Sequence, residues 1–153
     1  KCIQPQPNQK VFFSYLQYGS LLNVADGSSR QLNTLRTDTH VFLLTGIANA
    51  RPLVAELERY TSHITHHQYP DHYNFTDEDI NKLIIAFNNH PAKEKIIITT
   101  EKDSQRLLGN KLTDLLLNLP IYYLPIEIEL APKDKFTFDK NILDYVASAK
   151  RIS

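Results

Sequence analysis

Two six-residue runs, HVFLLT at residues 40–45 and KIIITT at 95–100, are almost wholly apolar or β-branched. Runs of that length are too short for a buried helix and read as strands covered on both faces. A strand covered on both faces needs a layer above it and one below, which restricts the chain to a layered α/β arrangement. The intervening sequence supplies the helices. In ARPLVAELERY (50–60), Leu53, Val54 and Leu57 fall on one side, and Pro52 suits a first helical position, where no N–H is needed. In TDEDINKLIIAFNNH (76–90), Ile80, Leu83, Ile84 and Phe87 recur at helical spacing. HITHHQY (63–69) is a further strand, too polar for a central place, so it belongs at the sheet edge. DSQRLLGNKLTDLLLNL (103–119) reads as helix with an interruption near Gly109, LPIYYLPIEIEL (119–130) as a fourth strand region, and FDKNILDYVASAK (138–150) as a closing helix. Strands and helices in alternation imply right-handed crossovers and a parallel sheet. The expectation is a three-layer, Rossmann-like α/β domain over residues 39–153 with strand order 2-1-3-4.

Residues 1–38 have another character. The first ten are polar, carry Pro5 and Pro7, and read as a linker. VFFSYLQYG (11–19) has strand composition, Asp26-Gly27 is a turn signal, and no helix is expected before Asp38. This β-rich N-terminal arm is the second predicted region. With 153 residues, 42% of them hydrophobic and 22% charged, the chain has the balance of a globular protein. Seventeen basic residues offset seventeen acidic ones, so no excess charge directs it toward nucleic acid. The lone Cys2 cannot form an internal disulfide. No methionine occurs, even at position 1, which leads to the expectation of a piece of a longer protein.

The polar residues gather where the predicted strands end. The first strand runs into Thr45, Gly46 and Asn49, the second into Tyr69-Pro70-Asp71-His72-Tyr73, and the third into Thr100, Glu101, Lys102 and Asp103. Open α/β sheets bind ligands at the carboxyl ends of their strands, so three such clusters on one rim mark a candidate site. Each has a structural alternative. Gly46 serves a tight turn or a close ligand approach. Thr76 with Asp79 resembles a capping box. Glu101, Lys102 and Asp103 fit either a solvated first helical turn or a role at the site.

The histidines separate by position. His63, His66 and His67 lie in an extended segment without the HExxH spacing of a helical zinc site, and they read as surface residues of an edge strand. No metal site is expected from so few ligands. His72 lies beyond the strand in the rim loop, where an imidazole can accept or donate a proton near neutral pH. A glycine-rich phosphate cradle is missing from a chain with four glycines.

Three stretches in order, HVFLLTGIANARPL, YPDHYNFTDEDI and IIITTEKDSQRL, resemble successive signatures of the C-terminal half of the tetraacyldisaccharide 4'-kinase family. The resemblance covers roughly residues 40–108, and the VFFSYLQYG arm is similar to the segment joining the two halves of such enzymes. Ala50 stands where the family commonly has Pro, Tyr69 where it has Phe, Tyr73 where it has a second His, and Ser104 where it has Ala. The resemblance implies a kinase of lipid A biosynthesis that moves the γ-phosphate of ATP to the 4'-hydroxyl of a tetraacyldisaccharide 1-phosphate. It implies that ATP and Mg²⁺ are held by an N-terminal P-loop domain absent from this sequence. It also implies peripheral work at the cytoplasmic face of the inner membrane, and an isolated fragment without activity.

Carried onto this sequence, the resemblance makes His72 the histidine that pairs with an aspartate of the other half beside the acceptor, with Asp71 orienting the loop or a cation. The rim residues Thr45, Gly46, Asn49, Thr100, Glu101, Lys102 and Asp103 are expected near substrate or phosphate, Lys102 as a point charge. The rival reading is a non-catalytic Rossmann-like module that binds a ligand or partner at the same rim.

Overall fold

The computed structural model describes residues 3–108 and 113–149. Cys2 and the expected interruption near Gly109 lie outside the described residues. Among the described residues, eight strands and five α-helices run in the order β1 (Ser14–Tyr18), β2 (Leu21–Asn23), β3 (Ser29–Arg30), β4 (His40–Thr45), α1 (Arg51–Leu57), β5 (Ile64–Gln68), α2 (Asp77–Asn89), β6 (Lys95–Thr100), α3 (Glu101–Leu108), α4 (Thr113–Leu117), β7 (Ile121–Leu124), β8 (Ile126–Leu130) and α5 (Pro132–Ala149). Against the expectation of an arm without helix, a single 3-10 turn occupies Leu32–Thr34 and buries Leu32.

The chain forms two compact units, residues 18–125 and residues 1–17 with 126–153. The expected boundary at 38/39 falls inside the first of these. Its six-stranded sheet has the order β3-β2-β7-β6-β4-β5. The four strands β5-β4-β6-β7 are mutually parallel, which is the 2-1-3-4 order with β5 at the edge. Beyond β7 the arm extends the same sheet, since β2 pairs antiparallel with β7 and β3 with β2. The arm is therefore divided, its later half being part of the α/β layer.

Alternate side chains of β4 and β6 point to opposite faces, and each face has its own core. On one, Val41, Leu43, Ile96 and Ile98 meet Leu53 and Leu57 of α1 together with Leu21, Leu32 and Leu35 of the arm. On the other, Phe42, Leu44, Ile97 and Ile121 meet Ile80, Leu83 and Phe87 of α2, with Leu107 and Leu116. Helices on both faces of a mostly parallel sheet make this a three-layer, Rossmann-like α/β fold. The start of α2 is fixed by Thr76, whose hydroxyl accepts the Asp79 N–H while the Asp79 carboxylate accepts the Thr76 N–H, a complete capping box.

In the other unit β1 and β8 form a two-stranded sheet. Pro125, which has no N–H to donate, stands between β7 and β8, so the expected single strand region is two strands in separate sheets. The α5 helix starts six residues earlier than the apolar pattern indicates, with Pro132 at its first position. Phe12 meets Phe138 edge-on at 5.3 Å, the Phe13 N–H donates to Asp134 at 3.1 Å, and Phe136, Leu143 and Tyr145 stay exposed.

Candidate active site

The loop after β4, the loop after β5 and the first turns of α3 meet at the carboxyl ends of three neighbouring parallel strands. Asp103 is the centre of this meeting and is fully buried. Its Oδ2 accepts the Gly46 N–H at 2.9 Å and the Thr100 hydroxyl at 2.8 Å, and its Oδ1 accepts Arg106 Nη1 at 3.0 Å. The Asp103 N–H donates back to Thr100 Oγ1 at 3.1 Å, so Thr100 caps α3. Burying a carboxylate requires this degree of pairing, because removal from water is otherwise prohibitive. The solvated reading of Asp103 is thereby corrected: only Glu101 and Lys102 of that turn face water.

Gly46 is the fulcrum. A Cβ there would stand 3.2 Å from Asp103 Oδ1, 3.3 Å from Phe75 Cζ and 3.5 Å from the Pro70 carbonyl, so the close approach of three segments accounts for glycine. Its carbonyl accepts the His72 N–H at 3.1 Å and Arg106 Nη1 at 3.2 Å. His72 itself has φ of 59°, the one non-glycine residue with positive φ among those described. Such a backbone costs about 1–3 kcal/mol and persists only where neighbours enforce it.

The strain is held by the loop's other contacts. Tyr69 and Tyr73 stack at 4.7 Å and both meet Phe75 edge-on. The Tyr73 hydroxyl donates to Asp79 Oδ2 at 3.0 Å. Burial and the negative charge of Asp79 push the Tyr69 phenol up to about 12, so it remains a donor. Burial opposes ionisation of Asp79, yet hydrogen bonds from Thr76, Tyr73 and Tyr69 hold its pKa below the usual carboxylate value.

Above this base stand the reactive side chains. The His72 ring, with 70% of its side chain exposed, has Nδ1 3.2 Å from Arg106 Nη2 and Nε2 3.4 Å from Lys102 Nζ. Asp71 Oδ2 lies 3.6 Å from His72 Nε2, and Asp71 Oδ1 lies 3.9 Å from Lys102 Nζ. A titratable ring, a carboxylate and two cations therefore share one open patch, a set suited to orienting a hydroxyl beside an anionic group.

The structure thus brings Gly46, Asp71, His72, Thr100, Lys102 and Asp103 together. Thr45 lies just beneath, buried, with its hydroxyl 2.8 Å from His66 Nε2. Asn49 stands apart. Its Oδ1 accepts the Arg51 N–H at 3.1 Å, and it lines an open cleft of about 820 Å³ with Arg51, Glu58, His66 and Gln68. Arg106 is the residue that sequence reasoning missed. It lies in the DSQRL stretch three residues after Asp103, and that spacing on a helix places the two side chains together.

The strand histidines are less exposed than expected. His66 and His67 are half-buried, and His67 stacks on Phe42 at 6.3 Å with its Nε2 buried and unpartnered. Burial lowers the pKa of both, and His67 adds to the effect on His66. Among the described residues no three His, Cys, Asp or Glu side chains gather closely enough to hold a metal ion.

Fold and rim together define a Rossmann-like α/β domain with a polar cluster at its strand ends, the place where open α/β sheets bind ligands. The family model described as Tetraacyldisaccharide-1-P 4'-kinase matches residues 2–146. The tetraacyldisaccharide 4'-kinase of Phocaeicola vulgatus is 36% identical, across all of this chain and 42% of that protein. That of Bacteroides fragilis is 34% identical, across 95% of this chain and 40% of its own length. The chain belongs to the tetraacyldisaccharide 4'-kinase family, and it spans about two fifths of the length of these relatives. In fold it is similar to the crystal structure of LpxK from Aquifex aeolicus in complex with ATP, with a TM-score of 0.50 and 18% identity over 88% of this chain and 36% of that one.

Proposed function

We propose that this chain is the C-terminal part of a kinase that transfers the γ-phosphate of ATP to the 4'-hydroxyl of a tetraacyldisaccharide 1-phosphate. The observation that carries the reading is the His72 loop, held in a strained conformation over the buried Asp103 beside two cations. Phosphoryl transfer depends on positioning and charge neutralisation, with a side chain to orient the attacking hydroxyl. His72 orients the acceptor hydroxyl by a hydrogen bond. Lys102 meets a phosphate oxygen as a point charge, and Asp71 steadies both by lying between them.

ATP and Mg²⁺ enter this proposal through an N-terminal P-loop domain of the parent polypeptide, which supplies the phosphate cradle that four glycines do not form here. The fragment alone is then inactive, and the whole enzyme works peripherally at the cytoplasmic face of the inner membrane, where its lipid acceptor lies. The test is His72→Ala in the intact protein, which is expected to lower turnover by about 10²–10⁴-fold with the fold retained. Unchanged turnover removes His72 from the chemistry, and a parent sequence without a GxxxxGK[ST] segment removes the kinase reading itself.

A further inference from the structure

We infer that Arg106 is a positioning residue that assigns the proton of His72 to Nε2; its consequence for turnover rests on the kinase reading above. Two cationic donors face the ring, Arg106 Nη2 at Nδ1 and Lys102 Nζ at Nε2. Neither guanidinium nor ammonium accepts a hydrogen bond, so each contact requires a nitrogen lone pair. A neutral imidazole has one such lone pair and an imidazolium has none. The two donors therefore compete, and their anchoring decides between them.

Arg106 is held before it reaches His72. Its Nη1 is fixed by Asp103 Oδ1 at 3.0 Å and the Gly46 carbonyl at 3.2 Å, and only 19% of its side chain is exposed. The planar fork then leaves Nη2 aimed at Nδ1, with little further side-chain entropy to lose. Lys102 is 49% exposed, sits at the longer distance, and has Asp71 Oδ1 as another partner. Arg106 takes the lone pair, Nδ1 is the acceptor, and Nε2 carries the hydrogen. The ring thus presents an N–H toward Asp71 Oδ2 and the open side of the rim. Its first action on an incoming oxygen is to donate.

The experiment reads the tautomer directly. Two-bond ¹H–¹⁵N correlation spectra of this chain are recorded at a pH where the ring is neutral, with His72→Gln to assign the signals. Wild type is expected to show a pyridine-like Nδ1 and a protonated Nε2. Arg106→Lys, which keeps a charge beside Asp103 but lacks the fork, is expected to give averaged nitrogens, and Lys102→Ala is expected to keep the wild-type pattern. A proton on Nδ1 in wild type overturns the inference without recourse to any variant, as does an Arg106→Lys spectrum identical to wild type. In the intact protein, Arg106→Lys is expected to lower kcat by about 10–100-fold with KM little changed, the scale of a small misplacement. An active kinase whose kcat ignores Arg106→Lys refutes the inference and leaves the kinase reading intact. The expected tautomer in a protein that transfers no phosphate to the disaccharide refutes the kinase reading alone.

Discussion

Asp103→Ala is the substitution with the most determinate outcome. The carboxylate is fully buried and accepts from Gly46, Thr100 and Arg106, so its loss strands a backbone N–H and a hydroxyl and leaves the guanidinium without its counter-charge, with the Gly46 carbonyl and His72 as its remaining partners. Removing one side of a buried ion pair costs about 3–5 kcal/mol. Arg106 keeps 19% of its side chain in water and part of its hydration is recoverable, which places the expected loss near ~3 kcal/mol. For a chain of this size that corresponds to a fall of about 6–12 °C in the midpoint of thermal unfolding. Urea unfolding followed by far-UV circular dichroism and tyrosine fluorescence measures it, since the chain has eight tyrosines and no tryptophan. Glu101→Ala, two residues earlier on the exposed side of the same turn, serves as the control and is expected to stay within about 0.5 kcal/mol of wild type. If Asp103→Ala lost under ~1 kcal/mol, no more than an ordinary substitution, the carboxylate would have to be solvated and the Asp103-centred site would be wrong.

Three other perturbations probe separate parts of the structure. Gly46→Ala puts a methyl group 3.2 Å from Asp103 Oδ1 and 3.3 Å from Phe75, both of which are buried, and is expected to destabilise by about 1–3 kcal/mol by overpacking, read from the urea midpoint. Thr76→Ala removes the hydroxyl of the α2 capping box and is expected to cost about 1 kcal/mol; a neutral result in the same titration contradicts the cap. Acidification is expected to destabilise the fold through His40, His66 and His67, whose pKa values burial lowers from 6.5, with neighbouring histidines adding to the effect at His40 and His66. The unfolded chain binds those protons first, so their contribution is complete above pH 6.5 and is lost as pH falls toward the folded-state values; a urea midpoint higher at about pH 5 than at about pH 8 contradicts this.

Hydropathy alone carried the parallel core of the fold. HVFLLT and KIIITT can be satisfied only between two helical layers and the polar HITHHQ segment only at an edge, which the order β5-β4-β6-β7 satisfies without being the one order that would. The extension of the sheet by β2 and β3 was not legible, because strands of three and two residues leave no alternation to detect. LPIYYLPIEIEL reads as one strand region because its composition is uniform across Pro125, and nothing local shows that its two halves pair with strands far away in sequence. At the site, the strand-end rule collected Gly46, His72, Lys102 and Asp103, which the structure brings together, and Asn49, which lines a different cleft. Burial of Asp103 escaped notice because an acidic residue in a first helical turn ordinarily faces water. Arg106 escaped with it, since its position matters only once Asp103 is inside. The half-burial of His66 and His67 depends on Thr45 and Phe42, whose adjacency comes from the register of β4 with β5.

Transfer of labelled γ-phosphate from ATP to tetraacyldisaccharide 1-phosphate, measured side by side for the intact polypeptide and for these 153 residues alone, addresses the central proposal most directly. The proposal requires a 4'-phosphorylated product from the intact polypeptide and none from the shorter chain. Phosphorylation by the 153 residues alone, or an intact polypeptide that leaves the disaccharide unchanged, would contradict it.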